Sequence, residues 1–212
     1  MDRKFFSYTV VVLVFSMLML IPLGSSAKSP SSTASTTWGN IKKCNSTEAQ
    51  LAPLSCITEE SLSLRILGKV YKVTQRFGDQ LPPAVGPGLH AGIDYASTAT
   101  SNINGTSVKS ATYGTVIKID PNNGIVYVFD GTNTILYVHM NVSARAYYVN
   151  VGTKVIPGTI LGAVSNKTSL NIVMGYHLHL EVRKGYTLLA TALDATKAVL
   201  ELKNVNPTYY IK

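Results

Sequence analysis

The sequence predicts a mainly β domain: a folded, barrel-sandwich-like antiparallel sheet with a small N-terminal extension. Three observations carry this reading. From about Gly68 onward the chain breaks into short runs rich in Val, Ile, Thr and Tyr. Turn residues separate those runs at close spacing. The gaps leave no room for the crossover helices that parallel strands require, so the strands pair antiparallel. With 212 residues, 46% of them hydrophobic and 14% charged, the chain suits one globular domain with an appendage better than two domains.

Strands are expected at Val70 to Gln75, Ile93 to Ala96, Ser107 to Ala111, Thr115 to Asp120, Ile125 to Phe129, Thr134 to Met140, Ile160 to Val164 and His177 to Arg183. Their breaks are Tyr113-Gly114, Pro121-Asn122-Asn123-Gly124, Asp130-Gly131, Val151-Gly152 and Pro157-Gly158, which are residue pairs that turns favour. One helix is expected at Ala192 to Leu202, where Ala192, Ala195, Val199 and Leu202 recur at helical spacing. Mixed helical spacing over Glu48 to Ile66 suggests a small cap ahead of the sheet.

The N-terminus speaks to compartment. Arg3 and Lys4 precede an apolar run from Phe5 to Pro22, and Ser25 and Ala27 suit the small-residue positions of a signal-peptidase cut. Residues 1–27 therefore read as a signal peptide of a secreted or extracytoplasmic protein. Retention of the run as a membrane anchor is the alternative, since it approaches the length of a span. Residues 28–67 form a Ser/Thr-rich tether and the cap, and 68–212 the main domain. Cys44 and Cys56 lie close together in that tether, and in an exported chain they most simply form one local disulfide, worth about 3 kcal/mol if unstrained. The net charge of +8 comes from 19 Lys and Arg with no long run among them. That spread does not form a nucleic-acid stripe and suits an anionic wall polymer or membrane surface, or no specific partner. A monomer is expected.

Chemistry is concentrated in four histidines. His177 and His179 belong to Gly175-Tyr176-His177-Leu178-His179-Leu180-Glu181-Val182, whose alternation puts both imidazoles and Glu181 on one strand face and Leu178, Leu180 and Val182 on the other. His90 precedes Asp94 by four residues, and His139 ends the alternating run Ile135 to His139. Catalytic zinc takes three ligands from His and Asp/Glu, leaving one position for a water whose proton is then lost near pH 7. His90, Asp94 and one histidine of the HxH pair make such a set. A hydrolytic site also has work for the other two histidines: one relays the proton, one hydrogen-bonds the oxyanion.

The segments Gly88-Leu89-His90-Ala91-Gly92-Ile93-Asp94-Tyr95, Leu136-Tyr137-Val138-His139-Met140 and Gly175 to Val182 together resemble the lysostaphin/LytM-type zinc metallopeptidases, endopeptidases that cut peptide bridges of bacterial cell walls. The resemblance extends through Val73 to Gly78, Val108 to Val116, Val151 to Gly162 and Val205-Asn206-Pro207, covering roughly Val70 to Tyr209. It implies one zinc per chain held by His90, Asp94 and His179, with His139 and His177 as the catalytic pair. It implies a peptidoglycan peptide, or another peptide, as substrate, and a mostly antiparallel fold with the site in a groove.

This chain departs from the family at Leu180, Met140 and Tyr176, read as apolar or groove-wall positions that bear on substrate fit. A non-catalytic wall-binding or activating module on the same fold is the alternative, although every implied ligand is present. A lipoyl- or biotinyl-carrier barrel over Val149 to Val164 is a third reading, which lacks a lysine at a hairpin tip and leaves the histidines unexplained.

Overall fold

The computed structural model describes residues 57–83, 88–142, 149–168, 175–188 and 204–211, all within the unit Trp38–Lys212. The expected signal peptide, most of the tether, both cysteines and the helix at Ala192 to Leu202 lie outside these residues.

Helix α1, Glu59–Leu67, starts where the Thr58 side chain accepts a hydrogen bond from the Ser61 N–H at 3.1 Å. Glu59 and Glu60 place negative charge on its first turn, which the helix dipole favours. It ends at Gly68, whose left-handed conformation, φ 73°, lets its N–H cap the Leu64 carbonyl. One face buries Leu62, Ile66 and Leu67 in the same core as the sheet. Tyr95, on the sheet, donates its hydroxyl to the Glu59 carbonyl at 3.1 Å and ties the helix down.

The strands are β1 Lys72–Gln75, β2 Gly92–Ala96, β3 Ser107–Lys109, β4 Gly114–Asp120, β5 Ile125–Phe129, β6 Asn133–Val138, β7 Met140–Asn141, β8 Lys154–Val155, β9 Ile160–Val164, β10 His177–Lys184 and β11 Asn204–Val205. The main sheet runs β1-β2-β10-β6-β5-β4-β8, with β11 also paired to β10, and a smaller sheet runs β3-β9-β7. All the pairings are antiparallel. The main sheet does not close into a barrel among the described residues; β1 and β8 are its edges. A short helix, α2, Pro207–Tyr210, follows β11. Among the described residues no helix is long and apolar enough to cross a membrane.

The expected strands are present with small changes of extent, except the run Thr134 to Met140. That run breaks at His139, which takes φ 63°, and it passes from the main sheet in β6 to the smaller sheet in β7. The main sheet has two apolar faces. One carries the large core, including Ile93, Tyr95, Leu178, Leu180 and Val182. The other carries a smaller cluster of Ile125, Tyr127, Leu136 and Val138. Because alternate side chains of β10 face opposite sides, the residues between its core leucines share this second side.

If α1 is part of the core, Leu62→Ala leaves a buried cavity and lowers unfolding free energy by about 2–5 kcal/mol in urea titrations. An unchanged midpoint would mean that the helix is an appendage.

Candidate metal centre

Strand β10 supplies the centre of the site. Its register against β2 pairs His179 with Asp94 directly, and His177 with Ala96. His90 lies just before β2, four residues ahead of Asp94, and reaches the same point from the loop. Its Nε2 is 3.1 Å from Asp94 Oδ1 and 3.0 Å from His179 Nδ1, and His179 Nδ1 is 2.8 Å from Asp94 Oδ1. The three potential ligand atoms of His90, Asp94 and His179 lie within 4.8 Å of one another, and the group could hold a metal ion.

The outward-facing atoms of the same residues agree with that use. His90 Nδ1–H donates to the Arg76 carbonyl at 3.1 Å, which leaves Nε2 with its lone pair toward the shared point. His179 Nε2 lies 3.6 Å from Glu181 Oε2, and Glu181 accepts from Arg183 Nε at 2.7 Å. Glu181 is fully buried. Outer partners of this kind fix a ligating imidazole's orientation and which nitrogen it offers.

Two more histidines stand beside the group. His177 Nε2 is 3.8 Å from Asp94 Oδ2, and the His139 ring centroid is 4.4 Å from that of His177 and 6.4 Å from that of His179. Each holds its Nδ1–H against a backbone carbonyl at 2.7 Å: Lys167 for His139, Gly175 for His177. Both therefore keep Nε2 as the acceptor. All five residues expected to form the site are brought together.

Electrostatics divides these histidines. For His179, burial pushes its pKa down, but the hydrogen bond to Asp94 and the Glu181 carboxylate outweigh burial and raise it to about 9. Burial alone would push the Asp94 carboxyl up, yet His179 and His90 hold it well below the usual carboxylate range. For His139, burial and then the neighbouring His177 lower the pKa to about 4, and the Lys167 carbonyl only partly opposes them.

Several contributors had no assigned role in the sequence reading. Gly92 is one: a Cβ there would run into the Leu180 carbonyl and lie 3.0 Å from His179 Cε1, so its lack of a side chain lets β10 and the His179 ring come close to β2. Continuing the alternation of β10 past His179 reaches Glu181 and Arg183. The carbonyls of Arg76, Lys167 and Gly175 carry no side-chain signature and come only from the fold. Of the positions where the sequence departs from the family, Met140 and Leu180 are fully buried in the core rather than in a groove wall. Tyr176 does line a groove of about 650 Å³ beside Asp94 and His177, together with Thr74, Gln75, Gln80 and Pro82.

Three converging side chains that could hold a metal ion thus stand on an antiparallel sheet, flanked by two further imidazoles. The model of peptidase family M23 matches residues 88–193, half of the chain, and the chain belongs to that family. Among solved structures, the catalytic domain of the antimicrobial peptidase lysostaphin from Staphylococcus simulans is similar over 66% of this chain and 92% of its own, at 21% identity and TM-score 0.49. A variant catalytic domain of the prophage-encoded M23 protein EnpA from Enterococcus faecalis is similar over 66% and 91%, at 23% identity and TM-score 0.47. LytU is similar over 66% and 83%, at 25% identity and TM-score 0.46. No curated protein sequence matches the chain.

Two expectations follow for metal binding. His179 carries a proton below its pKa of about 9, and a metal binds only the neutral ring. Affinity of the metal-free protein for zinc should thus rise about tenfold per pH unit through neutrality, with about one proton released per ion. Calorimetry in buffers of different ionisation enthalpy reads that proton, and its absence at pH 7 would contradict the assignment. Gly92→Ala should weaken zinc binding by about 10–100-fold in chelator competition, the scale of a disturbed ligand orientation.

Proposed function

We propose that the chain is an exported zinc-dependent endopeptidase that hydrolyses peptide cross-links of peptidoglycan. Convergence of His90, Asp94 and His179 on one point, with His139 and His177 beside it, is the observation that carries this reading. Membership of a peptidase family supports peptide-bond hydrolysis. The wall substrate follows from the resemblance of the histidine motifs to lysostaphin/LytM-type endopeptidases. Export rests on the apolar N-terminal run and the small residues that follow it.

His90 offers Nε2, His179 offers Nδ1 and Asp94 offers a carboxylate oxygen, a donor set that suits zinc. Zinc held there supplies Lewis acidity toward a water and toward the scissile carbonyl. The remaining work belongs to the chain's own groups. His139 stays neutral through the pH range in which a wall enzyme works, because its pKa is about 4. Its Nδ1–H is committed to Lys167, so Nε2 is the atom that can accept a proton from the attacking water. His177 is held the same way by Gly175. Whichever of the two rings has taken the proton becomes an N–H donor. In that form it hydrogen-bonds the developing oxyanion or returns the proton to the leaving amine. The groove beside Asp94 and His177 receives the peptide, with Tyr176 and Pro82 among its walls.

His179→Ala should abolish zinc binding and activity together. His139→Ala and His177→Ala should each keep one zinc while hydrolysis drops by about 100-fold or more, the usual loss for one acid-base or oxyanion group. Metal content by mass spectrometry, paired with amino-group release from purified bacterial sacculi with and without chelator, separates the roles. Loss of zinc from His139→Ala with retention in His179→Ala would reverse the split between ligands and catalysts. A wild-type chain without zinc or chelator-sensitive release would make the protein a non-catalytic module.

A further inference from the structure

The hairpin tip between β4 and β5, residues Pro121 to Gly124, lies in no metal-ligand shell, yet it touches both supports of His139. The first support is backbone. His139 has φ 63°, a left-handed conformation rare outside glycine, and it is the only non-glycine residue with positive φ among the described residues. Immediately after it, the Met140 N–H donates to the Gly124 carbonyl at 2.9 Å. Gly124 itself has φ 64°, and a Cβ there would run into the Met140 carbonyl and lie 2.8 Å from Met140 N. The tip and the chain leaving His139 are therefore in bare backbone contact. On the far side, the Ser165 N–H donates to the His139 carbonyl at 2.7 Å, so the left-handed residue is gripped from both directions.

The second support is the ring. His139 Nδ1–H is held by the Lys167 carbonyl at 2.7 Å. Lys167 in turn reaches the tip, donating Nζ to the Pro121 carbonyl at 3.2 Å, and its Cβ lies 3.0 Å from where a Gly124 Cβ would stand. One small turn thus sets the direction of the chain at His139 and the location of the carbonyl that orients its imidazole.

From this juxtaposition we infer that Gly124 is a positioning residue for His139: its lack of a side chain lets the β4–β5 tip seat against Met140 and Lys167 and hold the His139 ring in place. The inference rests on the catalytic role proposed for His139. A matched control exists in the same sheet. Gly131, at the tip between β5 and β6, also has positive φ, 98°, but a Cβ there meets nothing within 4 Å. An alanine at either site bears the backbone strain of a left-handed residue. Only at Gly124 does it also push on the supports of His139.

The test uses the full chain loaded with zinc, comparing Gly124→Ala, Gly131→Ala and His139→Ala. The readouts are zinc content, melting temperature, kcat and KM on purified sacculi, and the imidazole NMR resonances of His139. Gly124→Ala should keep one zinc and a melting temperature near that of Gly131→Ala. Its kcat should fall at least about tenfold at similar KM, the scale of a displaced catalytic group, with the His139 resonances shifted. Gly131→Ala should keep wild-type kcat and resonances. Wild-type kcat and unmoved resonances in Gly124→Ala would overturn the inference. Should Gly124→Ala fail to fold, Lys167→Ala decides: it removes the Nζ contact to Pro121, and unmoved His139 resonances there with wild-type kcat would equally overturn it. His139→Ala keeps the two readings apart. Full activity in that variant would remove the catalytic role of His139, whereas the ring resonances in Gly124→Ala still report whether the tip positions the ring.

Discussion

The pairing of β2 with β10 is the constraint on which both the core and the site depend. In that register Asp94 stands opposite His179 although 85 residues separate them in sequence. The alternation that buries Ile93 and Tyr95 from one strand and Leu178, Leu180 and Val182 from the other necessarily turns Asp94, His177 and His179 to the opposite side. Core packing and ligand geometry are thus one decision. A slip of one residue would carry the histidines into the apolar core and the leucines to the site, so the hydrophobic effect itself enforces the geometry of the site. His90 joins the site from the loop entering β2, where Gly78 N–H bonds the His90 carbonyl and His90 N–H bonds the Asp79 carbonyl.

Placing so many polar groups against a sheet is costly unless each is answered. Here the answer comes in layers. Asp94 is surrounded by imidazoles, His90, His139 and His177 each commit one ring nitrogen to a backbone carbonyl, and Glu181 faces His179 on one oxygen and Arg183 on the other. A carbonyl acceptor settles which ring nitrogen carries hydrogen without adding a second charge. The arrangement therefore specifies tautomers with few extra ionised groups, Glu181 and Arg183 being the buried exception.

What the sequence made legible was whatever alternation and side-chain chemistry encode. The strands and their antiparallel pairing follow from short β-favouring runs broken by turn residues, the shared face of His177, His179 and Glu181 follows from alternation along one strand, and the structure carries them. The short strands β7, β8 and β11 have two residues each, too few for any period to register. His139 is more instructive. In sequence it completes an alternating run and looks like an ordinary strand residue. In the structure it is a left-handed junction between two sheets, fixed by contacts with Gly124, Ser165 and Lys167. Nothing local to Tyr137-Val138-His139-Met140 encodes that, because the cause lies 15 and more residues away on both sides. Met140 and Leu180 illustrate the converse. Read as departures in a motif they suggest substrate contacts, whereas burial assigns them to the core.

His179 and His139 share one side chain and are set apart by their neighbours alone. At His179, burial lowers the pKa, but the hydrogen bonds and charges of Asp94 and Glu181 outweigh it and raise it to about 9. At His139, partial burial and the neighbouring His177 disfavour charge and lower the pKa to about 4. Environments that push like groups apart in this way separate the tasks those groups can perform. A proton held at His179 competes with a metal ion for the ring, and the carboxylates that raise the pKa attract the ion once that proton has left. A ring that resists protonation is a base that remains available when the solution is mildly acidic, and one that gives its proton up readily once it has accepted it. The contrast between His179 and His139 is therefore set by where Asp94, Glu181 and His177 fall in the fold.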